Sequence, residues 1–578
     1  MLLLKREART LAVVLVALAG TLVLLSGATD VGVVIWLVAY LGCTWLCRKM
    51  WGGRNLGHHL IARVLLALAP AGLIIDHTVG VVWAAWTAIA LLVLLVRSEQ
   101  LVRRAYGYTG TRASGFDALH LREKKPQLVR LYARLMLLLP LALMCAGYFH
   151  LNGLWWLLGS LIAAASAAAI AGDAYLRRNA SRRAQALLPS VLHDLNPSFV
   201  LYWDAPRNSQ LQLAMWIPHL QRVGVPFFVM VRDRRSYGQA VSVCGDVPVL
   251  HCPTMGSVER ARTESLRAAF YVNNAARNSH FVRYGELTHI QLLHGDSDKA
   301  PSYSPVTAMF DKVFVAGQAG IDRYAAHGVF IPDEKFEIVG RPQVVGIDRR
   351  TTDTLDLTDC TVLYAPTWKG FHEDAAHSSI PRALGILAEA LDLGCRVIFR
   401  AHPYTNRDPE FARIAAEACE LLAADSRATG REHVFGPAAG SDMTMEECFN
   451  ASDLMIADVS SVVADYLYSE KPILLVNPDQ DPAEFALEFP LASATYVVDG
   501  SPEQVRTALA AAATDDPMGT VRREKRTYYL GDFPDATYEE GFLKAAAHEA
   551  HAPWPPHATW PPERVSDGHG SERATPPA

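Results

Sequence analysis

Apolar residues dominate the chain as far as Gly172, in runs too long for the core of a soluble domain. The runs Leu11–Gly27, Val31–Cys47, Leu60–Ile75, Val79–Val96, Leu131–Phe149 and Leu154–Gly172 each approach the ~20 residues that carry a helix across a bilayer. They predict about six membrane spans. After a short connector, Ala184 to Pro197, the period changes. Short apolar runs read as strands: Phe199 to Trp203, Pro226 to Val231, Val247 to Leu250, Thr288 to Leu293 and Lys312 to Ala316. Helical patterns lie between them, such as Leu211 to Val223, Val258 to Phe270 and Ile321 to His327. A polar stretch, Asp348 to Asp359, reads as a hinge. The alternation then resumes with strands Thr361–Tyr364, Arg396–Arg400, Leu454–Ala457, Pro472–Val476 and Tyr496–Val498. Strands alternating with helices predict parallel sheets, here two of them.

Charge follows the same division. Up to Arg183 there are 20 Lys and Arg against 7 Asp and Glu, while the whole chain of 578 residues has a net charge of −5. The loops after the first, third and fifth runs carry no Lys or Arg, whereas Arg48, Lys49, Arg54, Arg97 to Arg130 and Arg177 to Arg183 fall on the alternate side. The positive-inside rule then places both ends in the cytoplasm. Few charges fall inside the runs; Arg63 and Arg134 lie near their ends, where they can snorkel. These features predict an anchor rather than an ion pathway. Nine scattered cysteines form no C-x-x-C pair and no Cys/His cluster with zinc spacing, which fits a reducing compartment. No glycine-rich dinucleotide or P-loop fingerprint occurs. From His551 the chain is rich in Pro and polar residues and is expected to be disordered.

Candidate chemistry sits where strands end. Leu292-Leu293-His294-Gly295 closes one strand with a titratable ring, and Gly295 is expected to supply the turn. Lys299 follows five residues on, suited to an anion. Arg400-Ala401-His402-Pro403 closes a second strand, and Asp458-Val459-Ser460-Ser461 runs a third into a helix start, where hydroxyls and free N–H groups favour anions. Carboxyl ends of strands are where open α/β sheets bind ligands. Three such sites suggest a phosphate-rich ligand.

The series His294-Gly295-x-x-x-Lys299, Tyr364-Ala365-Pro366-Thr367-Trp368-Lys369, Arg400-x-His402-Pro403 and Asp458-x-Ser460-Ser461-x-x-x-Asp465 resembles the CDP-glycerol glycerophosphotransferases, the teichoic-acid polymerases and primases of bacterial cell walls. The resemblance spans roughly Phe270 to Phe533. It implies a GT-B-like α/β fold, two Rossmann-like domains facing a cleft. With the apolar segment, the expected domains are a polytopic anchor (1–185), an acceptor-side domain with His294 (198–345), a donor-side domain (358–535) and the tail (551–578). It further implies transfer of a polyol phosphate, glycerol phosphate foremost, from a CDP-activated donor to an acceptor hydroxyl, with release of CMP. His294 and His402 are then the catalytic pair, His294 as base. Gly295, Lys299, Thr367, Trp368, Lys369, Arg400, Ser460, Ser461 and Asp465 are the implied substrate contacts. The expected partners are CDP-glycerol or another CDP-polyol and a lipid-linked or polymeric acceptor at a bacterial membrane, not nucleic acid.

Departures are visible. Where the family reads H-G-T-P-x-K, this chain has Asp296-Ser297-Asp298, and the two carboxylates are candidates for holding a divalent cation; no other cofactor or metal site is expected. The family's G-x-P-R-x-D becomes Gly340-Arg341-Pro342-Gln343, with the arginine displaced by two positions. Two alternatives stay open: a GT-B glycosyltransferase using a nucleotide sugar, and a degenerate, non-catalytic membrane scaffold.

Overall fold

The structure is a computed structural model that describes residues 2–561 except 75–79, 108–109, 120, 207, 296, 299, 353, 371–377 and 478–479. It divides into two compact units, Met1–Leu188 and Pro189–Ala578.

The first unit is helical. Five helices are long and apolar enough to cross a membrane: Glu7–Leu25, Thr29–Leu46, Val82–Gly107, Pro126–Tyr148 and Gly153–Leu195; a shorter apolar helix covers Leu60–Leu73. The third expected run is therefore the short one. The expected connector is not a loop, because the helix that begins at Gly153 continues unbroken to Leu195, with Pro189 inside it. Arg63 does not snorkel. It is buried and forms a two-pronged ion pair with Glu99, whose carboxylate also accepts the Gly57 N–H. Removing either partner alone would leave an unpaired buried charge, at a cost of about 3–5 kcal/mol.

The second unit holds two sheets in which every strand pair is parallel. In the first, β1 (Phe199–Trp203), β2 (Phe227–Val231), β3 (Val249–His251), β4 (Ala268–Tyr271), β5 (Thr288–Gln291), β6 (Lys312–Val315) and β7 (Phe336–Ile338) run in the order β3-β2-β1-β4-β5-β6-β7. In the second, β8 (Thr361–Ala365), β9 (Arg396–Phe399), β10 (Leu454–Ala457), β11 (Ile473–Val476) and β12 (Tyr496–Val498) run β9-β8-β10-β11-β12. Both orders reverse direction once, between β1 and β4 and between β8 and β10. That reversal opens a crevice at the carboxyl ends of the strands. Two parallel sheets are what the alternating pattern implies, and they form the GT-B-like arrangement that the family resemblance implies.

The central strands are buried on both faces, which is why they read as continuous apolar runs rather than alternations. That also explains one correction. The helix expected over Val258 to Phe270 ends at Arg260, and Ala268–Tyr271 is the central strand β4. Buried on both sides, Ala-Ala-Phe-Tyr has no period of its own to reveal it.

After the second sheet the chain returns to the first. Helix Glu540–Glu549 places Phe542 and Ala546 in the first sheet's core. The expected tail boundary shifts with it. Ala552 and Trp560 pack against that core, and the Trp560 N–H donates to the Gln221 carbonyl at 2.9 Å; residues 562–578 lie outside those described. The expected disorder at the start of the tail is overridden by these two apolar side chains.

Candidate active site

His294 follows β5 in the first sheet. The turn that carries it is made by Leu293, whose φ of 54° is left-handed, and not by Gly295 as the sequence suggests. A leucine there is strained, and its neighbours hold it. Trp216 Nε1 donates to the Leu293 carbonyl at 2.7 Å, and the Leu293 N–H donates to Gln291 Oε1 at 3.0 Å. Gly295 serves another need. A Cβ at that position would stand 3.2 Å from the Ser461 side chain, so the glycine lets the His294 loop approach the start of the helix after β10.

The His294 ring is fixed at one nitrogen. Nδ1 lies 2.7 Å from the Val272 carbonyl, which can only accept, so Nδ1 carries the proton and Nε2 presents a lone pair. Gln212 Nε2 lies 3.4 Å from that Nε2. Gln212 is held in turn by Trp203 and Asn273, whose donors lie 3.1 and 2.8 Å from its Oε1. The ring keeps contact with solvent at the cleft floor while protein surrounds most of it. This desolvation lowers its pKa below the usual histidine value; the Val272 carbonyl opposes the shift, and the positive charge of Arg341 adds to it. Lowering keeps the ring neutral, as a base must be.

The second sheet supplies the opposite wall. Asp458, fully buried, accepts the Thr367 N–H at 2.7 Å and the Ser379 N–H at 3.0 Å, which ties the segment after β8 to that after β10. The two sides of the crevice are thereby locked together. Ser460 precedes helix Ser461–Tyr466 in extended conformation, and its hydroxyl donates to the Asp458 carbonyl at 3.2 Å. The Val463 N–H of its first turn donates to the Ser460 carbonyl at 3.2 Å, and a helix start leaves the N–H groups before it without an i−4 partner. Beyond them lies an aromatic cluster: Trp368 stacks on His402 with ring centres 6.0 Å apart, and Tyr404 meets both edge-on at 5.3 and 5.2 Å. The Arg407 guanidinium lies 3.4 Å from the Tyr404 ring centre. His402 Nδ1 accepts the Tyr404 N–H at 3.0 Å, so a neutral His402 carries its proton on Nε2.

Other expected contacts are committed elsewhere. Asp465 is not open to a sugar hydroxyl, because Arg341 holds both its oxygens, one contact being 3.1 Å. Lys369 pairs with Asp408 at 3.0 Å on the surface. Arg400 turns its Nη1 toward the Ala439 and Met443 carbonyls, the latter at 2.7 Å, and so braces the loop beneath the crevice. Asp298 is buried beside Val459 and Ser460 and already engaged: Arg323, Tyr529 and the Leu491 N–H all donate to it. The candidate cation position thus has one carboxylate fully engaged, while Asp296 and the expected anion-binding Lys299 lie outside the described residues. Among the described residues no three His, Cys, Asp or Glu side chains are grouped to hold a metal. Sequence reasoning missed Gln212, Tyr404, Arg407 and the placement of Arg341. Only Tyr404, two residues after His402, carried a local signal.

Residues 343–484 match the family of CDP-glycerol:poly(glycerophosphate) glycerophosphotransferases. The match takes in Thr367, Trp368, His402 and both serines, and leaves His294 outside. The resemblance read from the motifs therefore holds over strands β8 to β11 of the second sheet. No curated protein matches the chain in sequence. Among solved structures, the wall teichoic acid polymerase TagF is similar at 12% identity, with 65% of this chain and 95% of that one covered and a TM-score of 0.40. UDP-GlcNAc 2-epimerase from Neisseria meningitidis is similar at 11% identity, covering 60% and 100%, with a TM-score of 0.41. These likenesses assign no activity.

Proposed function

We propose, taking the CDP-glycerol glycerophosphotransferase match of residues 343–484 as the premise, that this chain transfers a polyol phosphate, with glycerol phosphate as the first choice, from a CDP-activated donor to an acceptor hydroxyl. The setting is synthesis of a teichoic-acid-like wall polymer at a bacterial membrane, with the α/β unit on the cytoplasmic side. The observation that carries the reading is the His294 Nε2, left as the acceptor by the Nδ1 bond to Val272 and met by the Gln212 amide at 3.4 Å, on a loop that only a glycine lets approach Ser461. A base thereby faces an anion-favouring helix start.

In the proposed reaction the acceptor hydroxyl gives its proton to His294 Nε2 as its oxygen attacks the distal phosphorus. A new P–O bond forms, the bridging P–O bond breaks, and CMP leaves with that electron pair. Ser460, Ser461 and the helix N–H groups donate to phosphate oxygens. The proton on His402 Nε2 suits it to donate to the diphosphate. Trp368 and Tyr404 offer aromatic faces for the cytosine, a contact that such rings make with any base. Arg400 positions the loop rather than touching the donor, and Asp465 holds Arg341 across the cleft.

The test is incubation of the purified full chain with CDP-glycerol and an acceptor panel, following CMP release and product mass. A phosphodiester product with CMP is expected. A glycoside formed from a nucleotide sugar, or no CMP release with any CDP-polyol, overturns the proposal.

A further inference from the structure

Among the described cations of the helical unit, three are ion-paired and five others share one opening. Arg63 pairs with Glu99, and Arg122 and Arg177 with Asp173. By contrast, Arg48, Lys49, Arg54, Arg130 and Arg134 have no carboxylate partner among the described residues, yet they line a single open crater of about 460 Å³ together with Trp51. Five like charges sharing one mouth repel one another. Such a cluster is stable only if solvent or an anionic ligand neutralises it.

The crater is built rather than a chance gathering of flexible side chains. Its floor is the tight turn Arg48–Gly52, pinned by Met50, which is fully buried in the helical core. Gly53 closes the turn at φ 76°, and a Cβ there would press on Val129 at 3.0 Å, so the turn lies directly against helix Pro126–Tyr148. Arg130 and Arg134 project from successive turns of that helix, and Arg134 Nε donates to the Trp51 carbonyl at 3.4 Å. The setting is interfacial: Arg48 lies just past the end of the apolar helix Thr29–Leu46 and over the Trp45 ring at 4.9 Å. Trp45, Trp51, Leu131 and Leu138 are exposed on the adjoining surface, an aromatic and aliphatic flank of the kind that meets lipid.

We infer that this crater binds the phosphate or diphosphate of a membrane-lipid headgroup, with the lipid chain lying along the exposed apolar flank. Paired guanidinium groups match phosphate oxygens in geometry, and the volume suits a headgroup rather than a single ion.

The experiment uses the full chain in phosphatidylcholine nanodiscs doped with phosphatidic acid, with retained lipid counted by native mass spectrometry. Retention of phosphatidic acid in preference to phosphatidylcholine is expected. Replacing Arg48, Arg130 and Arg134 together by Gln should weaken it on the order of a hundredfold, since each such cation near a lipid phosphate counts for about fivefold. The matching triple Lys variant should stay within about fivefold of the unaltered chain. Equal retention in all three proteins overturns the inference. Loss in both variants marks a folding defect, and a salt titration of the unaltered chain then decides: retention that does not fall with ionic strength overturns it. Inorganic pyrophosphate in pure phosphatidylcholine discs tests the other source. If it binds as tightly as phosphatidic acid, the crater serves a soluble phosphate and the lipid assignment is wrong. CMP release from CDP-glycerol, measured on the same preparations, reports separately on the transfer reading.

Discussion

His294 follows β5, one strand out from the crossover point of the first sheet; His402 follows β9, one strand out from that of the second. In sequence both are a histidine closing an apolar strand. Their wiring is opposite. The Val272 carbonyl takes the proton of His294 Nδ1 and leaves Nε2 as an acceptor. The Tyr404 N–H occupies His402 Nδ1 and leaves Nε2 as the site of the proton. One ring sits alone on a strained turn beside Gln212, and the other lies in an aromatic stack. The comparison teaches that what a histidine does at one nitrogen is decided by the backbone group at the other. Two carbonyl-or-amide choices, each made by the local chain path, leave one ring an acceptor and the other a donor at Nε2, the division on which the proposed base and donor sides rest.

The largest expected effect breaks that division. His294→Ala should lower the single-turnover rate by ~10²–10⁴, the usual worth of a general base, and leave CMP affinity unchanged. His402→Ala should weaken CMP binding instead, because it removes a ground-state contact. Single-turnover kinetics with calorimetric CMP titration reads both. Should His294→Ala lose CMP binding and keep its rate at saturation, the two rings have been assigned the wrong way round.

A smaller effect sharpens the donor side. Trp368→Ala should raise the CMP dissociation constant by roughly 5- to 150-fold, the equivalent of ~1–3 kcal/mol for one stacked base. Trp368→Phe, which keeps a face of similar shape, should recover most of the loss. The same titration checks it. If both variants bind as the unaltered chain does, the aromatic cluster is packing and not a nucleobase site.

Much of this was legible in the sequence, for a physical reason. Strands β8 to β12 are short apolar runs bounded by polar residues, and the polar residues that close them, Thr367, His402, Ser460 and Ser461, come to the crevice because strand ends in a parallel sheet converge there. What could not be read was which charges would already be satisfied. Asp465 looks like a ligand in its motif, but its partner Arg341 is 124 residues away in sequence. Arg400 is claimed by a carbonyl 43 residues on, and Arg63 by a glutamate 36 residues on. Such pairings are set by the fold, and a local pattern carries no trace of them. Gly295 was read as the residue of the turn, which Leu293 makes instead; its own constraint is the nearby Ser461 side chain. Only the packed structure shows the side chain it must avoid.

The smallest effect is the most diagnostic of the base side. Desolvation by the surrounding protein is the main cause of the lowered His294 pKa, although the side chain stays exposed, and the Arg341 charge contributes in the same direction. A base works when neutral, so kcat/KM should hold its plateau as pH falls past the ordinary histidine value of ~6.5 and decline only below it. Arg341→Gln removes a positive charge and leaves Asp465 without its bidentate partner. Both changes favour the imidazolium, so the pKa rises and the acid limb moves to higher pH. Arg341→Lys keeps the charge and loses only the fork, so its limb should stay near that of the unaltered chain even if its rate falls. The midpoint of the limb is the readout, not the rate, which a loosened cleft would lower in either variant. A limb that stays fixed in Arg341→Gln would mean that some group other than His294 takes the acceptor's proton.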